Sequence, residues 1–481
     1  MLALLILQTD LPTLEARVRR SPGAANVRAL ADGYLRARRY QDASRSYERA
    51  AGLYAKLGDP NAAKVLRSYA ERYRTDIALY VDRAPTPPAR LARWEPKAGC
   101  YLGAFFDRED GVARFDGDGR RHGDPEDWNR TIGKPHAMAF TYVRLGARFP
   151  YQWARLLREQ GMALHLALEP TSQAHGSDER LLRDLGEDCA EARLPIFLRF
   201  AGEMNGAWTR YGGDPAGYRR MFQTAARIVR ERAPNVAMVW CPNDIPEAEI
   251  SRYYPGEAAV DWVGVNFYSV LYNDGDRAKA AAWRNPLDSL AYVHRIYGGR
   301  HPIMVGEWGA THRAALDGIE RPAFAREKIG QFYGGLPRRY PRVKAVSWLS
   351  MDTIRYALPG RRLNDFSLLA RPEVAAKYRD ETASPYYLSS VGESARSVPV
   401  PLGASARIGD RISVDARSHV GSPTVEVSVD GALVRRITEP GEIAFPLPPT
   451  TRRSWRIVVV VRDERKAVAG RVERLVTVGA K

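Results

Sequence analysis

The chain has few cysteines, no long apolar run and no clustered basic tract, and each shortage excludes a class of protein. Only Cys100, Cys189 and Cys241 occur in 481 residues. Three cysteines cannot all pair, and none has the spacing of a metal ligand, so we expect buried free thiols and no metal site. No stretch approaches the ~20 apolar residues that a membrane helix needs, so no membrane span is predicted.

The positive charge is dispersed along the chain. The formal net charge is +17, carried mostly by arginine. Nucleic-acid binding usually concentrates Lys and Arg into a patch with interleaved aromatics, and no such tract is present. We therefore predict no nucleic-acid partner. Adsorption to an anionic polymer or envelope surface, and an arginine-rich composition with no partner, both stay open.

The first residues, Met1–Leu7, are apolar but short, and they lack a basic region and a cleavage site. They would be the remnant of a signal peptide if the true start lay upstream, and an extracellular or cell-envelope location would then follow. The length of 481 residues predicts two or three domains.

Residues 1–84 are predicted to form a helical module. Small and aromatic residues recur at helical spacing from Ala31 to Ala50, and a second helical pair is expected at about 60–80. This pattern resembles a tetratricopeptide repeat, which would imply a protein partner. A plain helical hairpin packed on the next domain explains it equally well. A Pro-rich connection follows, around Thr86–Pro88.

Residues 97–392 alternate between short apolar runs and helical stretches. This alternation predicts an α/β domain with eight parallel strands closed into a (β/α)8 TIM barrel. Residues 107–135 contain no clear helix and are interpreted as a long loop at the barrel mouth. The predicted strands are Tyr101–Phe106, Ala137–Val143, Ala163–Leu168, Pro195–Phe200, Val236–Trp240, Trp262–Phe267, Pro302–Gly306 and Lys344–Leu349.

Residues 398–481 change to short alternating runs separated by Gly, Pro and Asp. Val429-Asp430-Gly431-Ala432 is a hairpin signal. The region is predicted to be an antiparallel β-sandwich of immunoglobulin-like size. It could bind a glycan or cover the barrel, and a structural role is favoured.

Two acidic residues follow buried strands. Glu203 comes after Pro195–Phe200 and Glu307 after Pro302–Gly306, and they are 104 residues apart. That separation fits about three barrel units of ~30 residues, which places both acids at the C-terminal mouth. A pair of carboxylates there is the machinery of glycoside hydrolysis. Other strand ends also carry polar groups, including Asn243, Asp244 and Asn266.

Three segments, with Trp348, resemble glycoside hydrolase family 26 over about residues 97–380. The segments read RFAGEMNGAW at 199–208, YPGEAAVDWVGVNFY at 254–268 and GEWG at 306–309. The resemblance implies a retaining mechanism without a cofactor, in which Glu203 is the acid/base and Glu307 the nucleophile. It further implies substrate-binding or supporting roles for Arg199, Asn205, Trp208, Tyr268, Trp308 and Trp348.

One position departs from the family pattern. Gly202 stands where mannanases of the family commonly carry a histidine that contacts the sugar. The resemblance therefore implies an endo-acting hydrolase of a β-linked polysaccharide without selecting mannan. The alternative is a non-catalytic polysaccharide-binding or scaffold protein of an exopolysaccharide synthesis or export assembly, on a degenerate barrel.

Overall fold

The structure, a computed structural model, describes residues 10–117, 119–418, 423–463 and 465–479. The apolar start Met1–Leu7 lies outside these residues. The chain divides into two compact units. One contains residues up to 82 together with those from 400 onward, and the other contains residues 83–399.

Residues 83–399 contain the predicted barrel. All neighbouring strands are parallel, and strand 8 pairs with strand 1, for example Ala345 with Tyr101, which closes the sheet. The eight strands were all predicted, because each is a buried apolar run of the kind that a parallel sheet requires. In order they are Cys100–Phe105, Met138–Arg144, Ala163–Glu169, Ile196–Phe200, Val236–Trp240, Trp262–Asn266, Ile303–Trp308 and Val343–Leu349.

Helices follow most of the strands and cover the outside of the barrel. Most of the larger aromatic side chains in this unit lie in the core between strands and helices. The helices are Pro125–Ile132, Tyr151–Glu159, Gln173–Gly176, Glu179–Glu191, Pro215–Arg232, Glu247–Ile250, Ala291–Tyr297, Pro322–Arg339, Thr353–Tyr356 and Pro372–Thr382. Short strands are Ala113–Phe115 with Arg121–Gly123, Arg313–Ala314 with Asn364–Asp365, and Tyr387–Leu388 on the edge of strand 1.

The connection between strands 1 and 2 is not the helix-free loop that was predicted. It contains the helix Pro125–Ile132 after a short hairpin. Asp124 accepts hydrogen bonds from the backbone N–H groups of Glu126 and Asp127, and Gly133 ends the helix with φ of 75°. These capping residues are present in the sequence, so the prediction failed by overlooking them.

The other unit contains a β-sandwich whose sheets pack around a core that includes Trp455 and Val459. The hairpin at Val429–Ala432 forms as predicted, with Asp430 and Gly431 at φ of 52° and 89°. One sheet has the order Val398–Pro401, Asp76–Arg83, Arg411–Arg417, Ile443–Pro446. The other has the order Ser405–Ala406, Val468–Val478, Ser454–Arg462, Thr424–Val429, Ala432–Ile437.

The strand Asp76–Arg83 corrects two boundaries. Residues 60–80 were predicted as a helical pair, but one helix ends at Tyr73 and the chain then enters the sandwich. Leu79 and Val81 alternate toward the sandwich core, and Ile77 to Val81 pair antiparallel with the strand Arg411–Arg417. The sandwich is therefore built from both ends of the chain.

From residue 10 to that strand, the structure has four helices, and each packs against the next. They are Leu11–Arg20, Ala24–Arg36, Tyr40–Lys56 and Pro60–Tyr73. Their shared core is made of small and aromatic residues such as Ala43, Ala50 and Tyr47. The assignment of these helices to a tetratricopeptide repeat stays a prediction.

The three cysteines are buried and unpaired, as predicted. Within the described ranges, no helix combines the length and the apolar character needed to cross a membrane.

We expect Leu79→Ala to destabilise the sandwich by about 2–4 kcal/mol, because it leaves a cavity in a packed core. Leu79 is 7% exposed, whereas Leu433 in the other sheet is 59% exposed and serves as the matched control. Urea titration read by hydrogen exchange in the strand Ser454–Arg462 measures both variants. Equal effects of Leu79→Ala and Leu433→Ala would mean that the N-terminal strand does not stabilise the sandwich.

Candidate active site

A cleft of about 920 Å³ lies where the C-terminal ends of the barrel strands meet, and both Glu203 and Glu307 line it. This is the face on which barrel enzymes place their reacting groups. Among the residues that the structure describes, no group of three or more His, Cys, Asp or Glu side chains is arranged to hold a metal ion.

Glu203 is held by a strained and tightly fixed turn after strand 4. Ala201 and Glu203 both have positive φ, 49° and 58°, which is unfavourable for residues with a Cβ atom. The hydroxyls of Tyr218 and Tyr211 donate to the carbonyls of Ala201 and Gly202, at 3.0 and 2.6 Å. Backbone strain of this kind persists where many surrounding contacts hold the unfavourable conformation in place, and it is common at functional sites.

The carboxylate of Glu203 accepts hydrogen bonds from uncharged donors. Asn266 Nδ2 lies 2.9 Å and Asn243 Nδ2 lies 3.3 Å from Oε1, while Trp208 Nε1 lies 2.7 Å from Oε2. In the described part of the chain, no cationic side chain forms an ion pair or hydrogen bond with Glu203.

Glu307 is buried near the end of strand 7 and has a cation beside it. Arg199 Nη1 lies 2.5 Å from Glu307 Oε1. The hydroxyl of Tyr142 donates to the same oxygen at 2.7 Å, and the hydroxyl of Tyr268 donates to Oε2. Burial, and then the neighbouring Glu307 carboxylate, raise the pKa of Tyr268 well above its ordinary value, so its hydroxyl stays a donor.

Arg199 lies inside the barrel with a side chain only 3% exposed. Burial opposes its charge, but the Glu307 carboxylate together with Tyr142, Cys241 and Glu203 raises the pKa of Arg199 well above its ordinary value. The guanidinium also lies over the ring of Phe140, 4.9 Å from its centroid. Gly306 makes room for this arrangement, since a Cβ there would lie 2.6 Å from Asn266 Oδ1 and 3.5 Å from Arg199 Nη1.

Asn266 connects the two acidic sites. Its amide nitrogen donates to Glu203, and its Oδ1 accepts from Arg199 Nη1 at 3.4 Å and from Cys241 Sγ at 3.1 Å. Asn266 and Arg199 therefore link Glu203 to Glu307, since Arg199 also pairs with Glu307. The connection fixes Glu203 beside neutral donors and Glu307 beside a cation.

This asymmetry suits two different chemical roles. Arg199 and the hydroxyls of Tyr142 and Tyr268 hold the Glu307 carboxylate in one orientation, as a nucleophile requires. Glu203 has only uncharged donors among its described partners and lines the cleft, where a proton donor meets the glycosidic oxygen.

Two predicted substrate contacts are wrong. Trp308 and Trp348 have no exposed surface; they contact each other with ring centroids 4.9 Å apart and lie in the core outside the barrel. The reason is the alternation of side chains along a strand. Glu307 and Ser347 face inward, so the tryptophan that follows each of them faces outward.

Asn205 and Trp208 lie on the turn that carries Glu203. Asn205 is buried and braces the next loop, because its amide exchanges hydrogen bonds with the backbone of Asn243, both at 2.9 Å. It therefore positions Asn243 and does not face the cleft. Trp208 is 45% exposed beside Glu203, with one ring edge bound to the carboxylate.

Three further residues complete the site. Tyr142 was not predicted, while Asn243 and Asn266 were noted only as polar strand ends. Tyr142 lies near the end of strand 2. Because side chains alternate along a strand, Tyr142 faces the same side as the inward-facing Phe140, and this pattern could have identified it.

We expect Tyr268→Phe to lower kcat/KM by about 10- to 100-fold, because a hydrogen bond to a charged group contributes roughly 1.5–3 kcal/mol. The ring stays, so the folded structure should persist. Hydrolysis of an activated aryl glycoside measures the loss, with Tyr292→Phe on an outer helix as the control. Equal rates for both variants would argue against a role for this hydroxyl.

Comparisons with known proteins match part of the chain. Residues 181–287 match the family model described as Glycosyl hydrolase family 26. A β-1,3-xylanase, TXYA, from Vibrio sp is 30% identical over 139 residues, and a β-1,3-xylanase from Alcaligenes sp is 28% identical over 139 residues. Each match covers 27% of this chain and 28% of the relative, so the chain spans less than a third of the relatives it matches.

Solved structures are also similar to the barrel. A GH26 β-mannanase from Bacteroides ovatus has 15% identity and a TM-score of 0.43, covering 62% of this chain and 91% of that one. The catalytic domain of a GH26 endo-β-1,4-mannanase from Bacillus sp. JAMB-750 has 14% identity and a TM-score of 0.45, covering 61% and 89%.

Proposed function

We propose that this protein, whose barrel is like those of glycoside hydrolase family 26, is a retaining, endo-acting hydrolase of a β-linked polysaccharide. Glu203 is the acid/base and Glu307 the nucleophile. The observation that carries the proposal is the pairing of Glu307 with the buried Arg199 in a cleft that Glu203 also lines. Retaining glycosidases require one ionised and one protonated carboxyl group facing the same sugar.

The reaction proceeds in two displacements. The carboxylate of Glu307 attacks the anomeric carbon while Glu203 gives its proton to the glycosidic oxygen, and the bond between that carbon and oxygen breaks. The product is a glycosyl ester on Glu307. Glu203, now a carboxylate, takes a proton from water, whose oxygen attacks the anomeric carbon and releases Glu307.

Arg199, Tyr142 and Tyr268 support the first step. Their positive charge and hydroxyl dipoles fix the orientation of the Glu307 carboxylate. The exposed ring of Trp208 lies beside the proton donor and can stack on the apolar face of a sugar.

A polysaccharide panel tests this function. We expect reducing ends to appear with a rapid fall in viscosity, as endo cleavage produces, on one of β-mannan, mixed-linkage glucan, β-1,4-xylan, β-1,3-xylan or an acidic exopolysaccharide. β-1,3-Xylan is included because two relatives are named for it. Binding without cleavage would favour the scaffold alternative, and gel retardation of DNA would favour a nucleic-acid partner; either result contradicts the proposal.

The helices between Leu11 and Tyr73 are proposed to bind a protein partner of a polysaccharide synthesis or export assembly. The support is the helical order of this segment, with Leu57 and Val65 exposed on it at 72% and 52%. Affinity capture with the full chain and with a Leu57→Glu/Val65→Glu variant tests it. A set of captured proteins unchanged by the variant would count against the proposal.

A further inference from the structure

The cleft holds more positive than negative charge outside the reacting pair. Among the described residues, six arginines and three carboxylates line it besides Glu203 and Glu307. The arginines come from the end of strand 2 and from the segments after strands 1, 6 and 8, so they lie on several sides of the mouth. They are Arg108, Arg120, Arg121, Arg144, Arg284 and Arg361.

Two of the three additional carboxylates pair with a cation of their own. Asp244 pairs with Arg284 at 3.5 Å, and Asp274 pairs with Lys279 at 2.8 Å. Asp107 is buried and accepts a hydrogen bond from the hydroxyl of Thr141 at 2.6 Å. Burial raises the pKa of Asp107, and the charge of the nearby Arg120 opposes that shift, so Asp107 is the one additional carboxylate in the described lining that faces the remaining arginines.

Four of the arginines have no ion pair with a carboxylate in the described part of the chain. Arg108, Arg144 and Arg361 are exposed, and no hydrogen bond of their guanidinium groups is found there either. Arg120 donates only to the Thr141 hydroxyl at 3.5 Å and the carbonyl of Tyr142 at 3.3 Å. Arg121, by contrast, pairs with Asp110 at 2.9 Å.

Charge distinguishes this lining more than its aromatic rings do. Tyr272, Tyr356 and three phenylalanines line the cleft and can stack on neutral and anionic sugars alike, and no tryptophan is among the lining residues found in the described ranges. Two of the lining tyrosines, Tyr142 and Tyr268, are engaged with Glu307. Guanidinium groups are therefore the main unengaged donors of the cleft, and they match carboxylate and sulfate oxygens in geometry and charge.

We propose that the substrate of this cleft is an anionic β-linked polysaccharide, one that carries carboxylate or sulfate groups on the sugars flanking the cleaved bond. The inference rests on the proposed hydrolase function and specifies its substrate class. Arg144 at the end of strand 2 and Arg361 after strand 8 bind the charged groups of the polysaccharide, and Arg108 and Arg120 add to the attraction. Like-charged groups around one cleft repel each other, and an anionic ligand relieves that repulsion.

The experiment compares each polysaccharide with its own neutral form. A β-linked polyuronide is assayed beside its carboxyl-reduced form, and a sulfated β-glycan beside its desulfated form, which separates the two sources of charge. At low salt we expect kcat/KM for at least one anionic substrate to exceed that for its neutral form by about tenfold. The preference should fall as salt rises from about 0.05 to about 0.5 M, because screening weakens exposed charge pairs.

Variants test whether Arg144 and Arg361 cause the preference for the anionic substrate. Arg144→Gln/Arg361→Gln should reduce the ratio of anionic to neutral cleavage toward one. Arg220→Gln, an exposed arginine on the helix Pro215–Arg232 and not on the cleft lining, is the matched control and should leave the ratio unchanged.

The possible outcomes distinguish the inference of an anionic substrate from the proposed hydrolase function on which it rests. Cleavage of the neutral forms as fast as the anionic ones, in a manner that depends on Glu307, would overturn the inference alone. An anionic preference that persists in Arg144→Gln/Arg361→Gln would overturn it as well. Cleavage of neither form of any polysaccharide would overturn the proposed function, and the inference with it.

Discussion

Glu307→Ala is expected to lower the hydrolysis of an activated aryl glycoside by about 10⁴-fold or more, because it removes the nucleophile and the whole covalent route with it. Sodium azide should restore turnover. The small anion enters the space that the side chain leaves and attacks the anomeric carbon from the same face, so the glycosyl azide has inverted configuration.

Glu203→Ala serves as the partner experiment. Its loss should be large on poor leaving groups and smaller on activated ones, since only the former need a proton, and azide should give a product of retained configuration. Glu159→Ala, an exposed acid on the helix Tyr151–Glu159, is the control. Near-wild-type rates for Glu307→Ala, or an azide product of retained configuration, would reject the assignment.

Arg199→Met is expected to cost about 3–5 kcal/mol in the free energy of unfolding, because it leaves the Glu307 carboxylate buried without its cation. The side chains of the pair are 3% and 7% exposed, so solvent cannot replace the lost partner. Activity should fall as well, since Arg199 orients the nucleophile. Chemical denaturation of the barrel unit measures the stability, and kcat/KM measures the activity.

A double-mutant cycle isolates the pair. Arg199→Met/Glu307→Gln should regain much of the lost stability, because the unpaired charge is gone, while activity stays absent. Arg227→Met removes an exposed arginine that pairs with Glu179 at 3.2 Å and should cost at most about 1 kcal/mol. If Arg199→Met cost no more than Arg227→Met, the buried ion pair would not stabilise the barrel more than an exposed pair does.

Most of the barrel strands could be predicted because the sequence pattern that marks each strand lies within the strand itself. Each strand is a short buried apolar run, and the bounds predicted for Val236–Trp240 match the structure. The helix Pro125–Ile132 was missed although Asp124 and Gly133 mark its ends and Trp128 and Ile132 lie on one buried face, since it is a single short helix inside a stretch rich in Gly, Asp and Arg.

The strand Asp76–Arg83 could not be placed from local pattern. Its partner strand Arg411–Arg417 lies more than 300 residues further along the chain, and nothing in either segment specifies the other. Short apolar runs fit helix and strand alike, so proximity to helices led to the wrong choice. Long-range pairing decided the structure there.

The site was predictable in its acids and less so in its surroundings. Acidic residues after buried strands are rare enough to mark Glu203 and Glu307, whereas an aromatic at a strand end is common on either side of a barrel. Trp308 and Trp348 were misassigned for that reason. The donors Asn243 and Asn266 converge on Glu203 only because strands 4, 5 and 6 are neighbours in the closed sheet.

Trapping of the covalent intermediate tests the central claim most directly. The full-length protein is incubated with a 2-deoxy-2-fluoro glycoside of the sugar that the substrate panel identifies, bearing a good leaving group, and is then digested for peptide mass spectrometry. We expect one glycosyl adduct, an ester on Glu307, that does not form in Glu307→Ala. An adduct on Glu203 or elsewhere, or inactivation without any adduct, would contradict it.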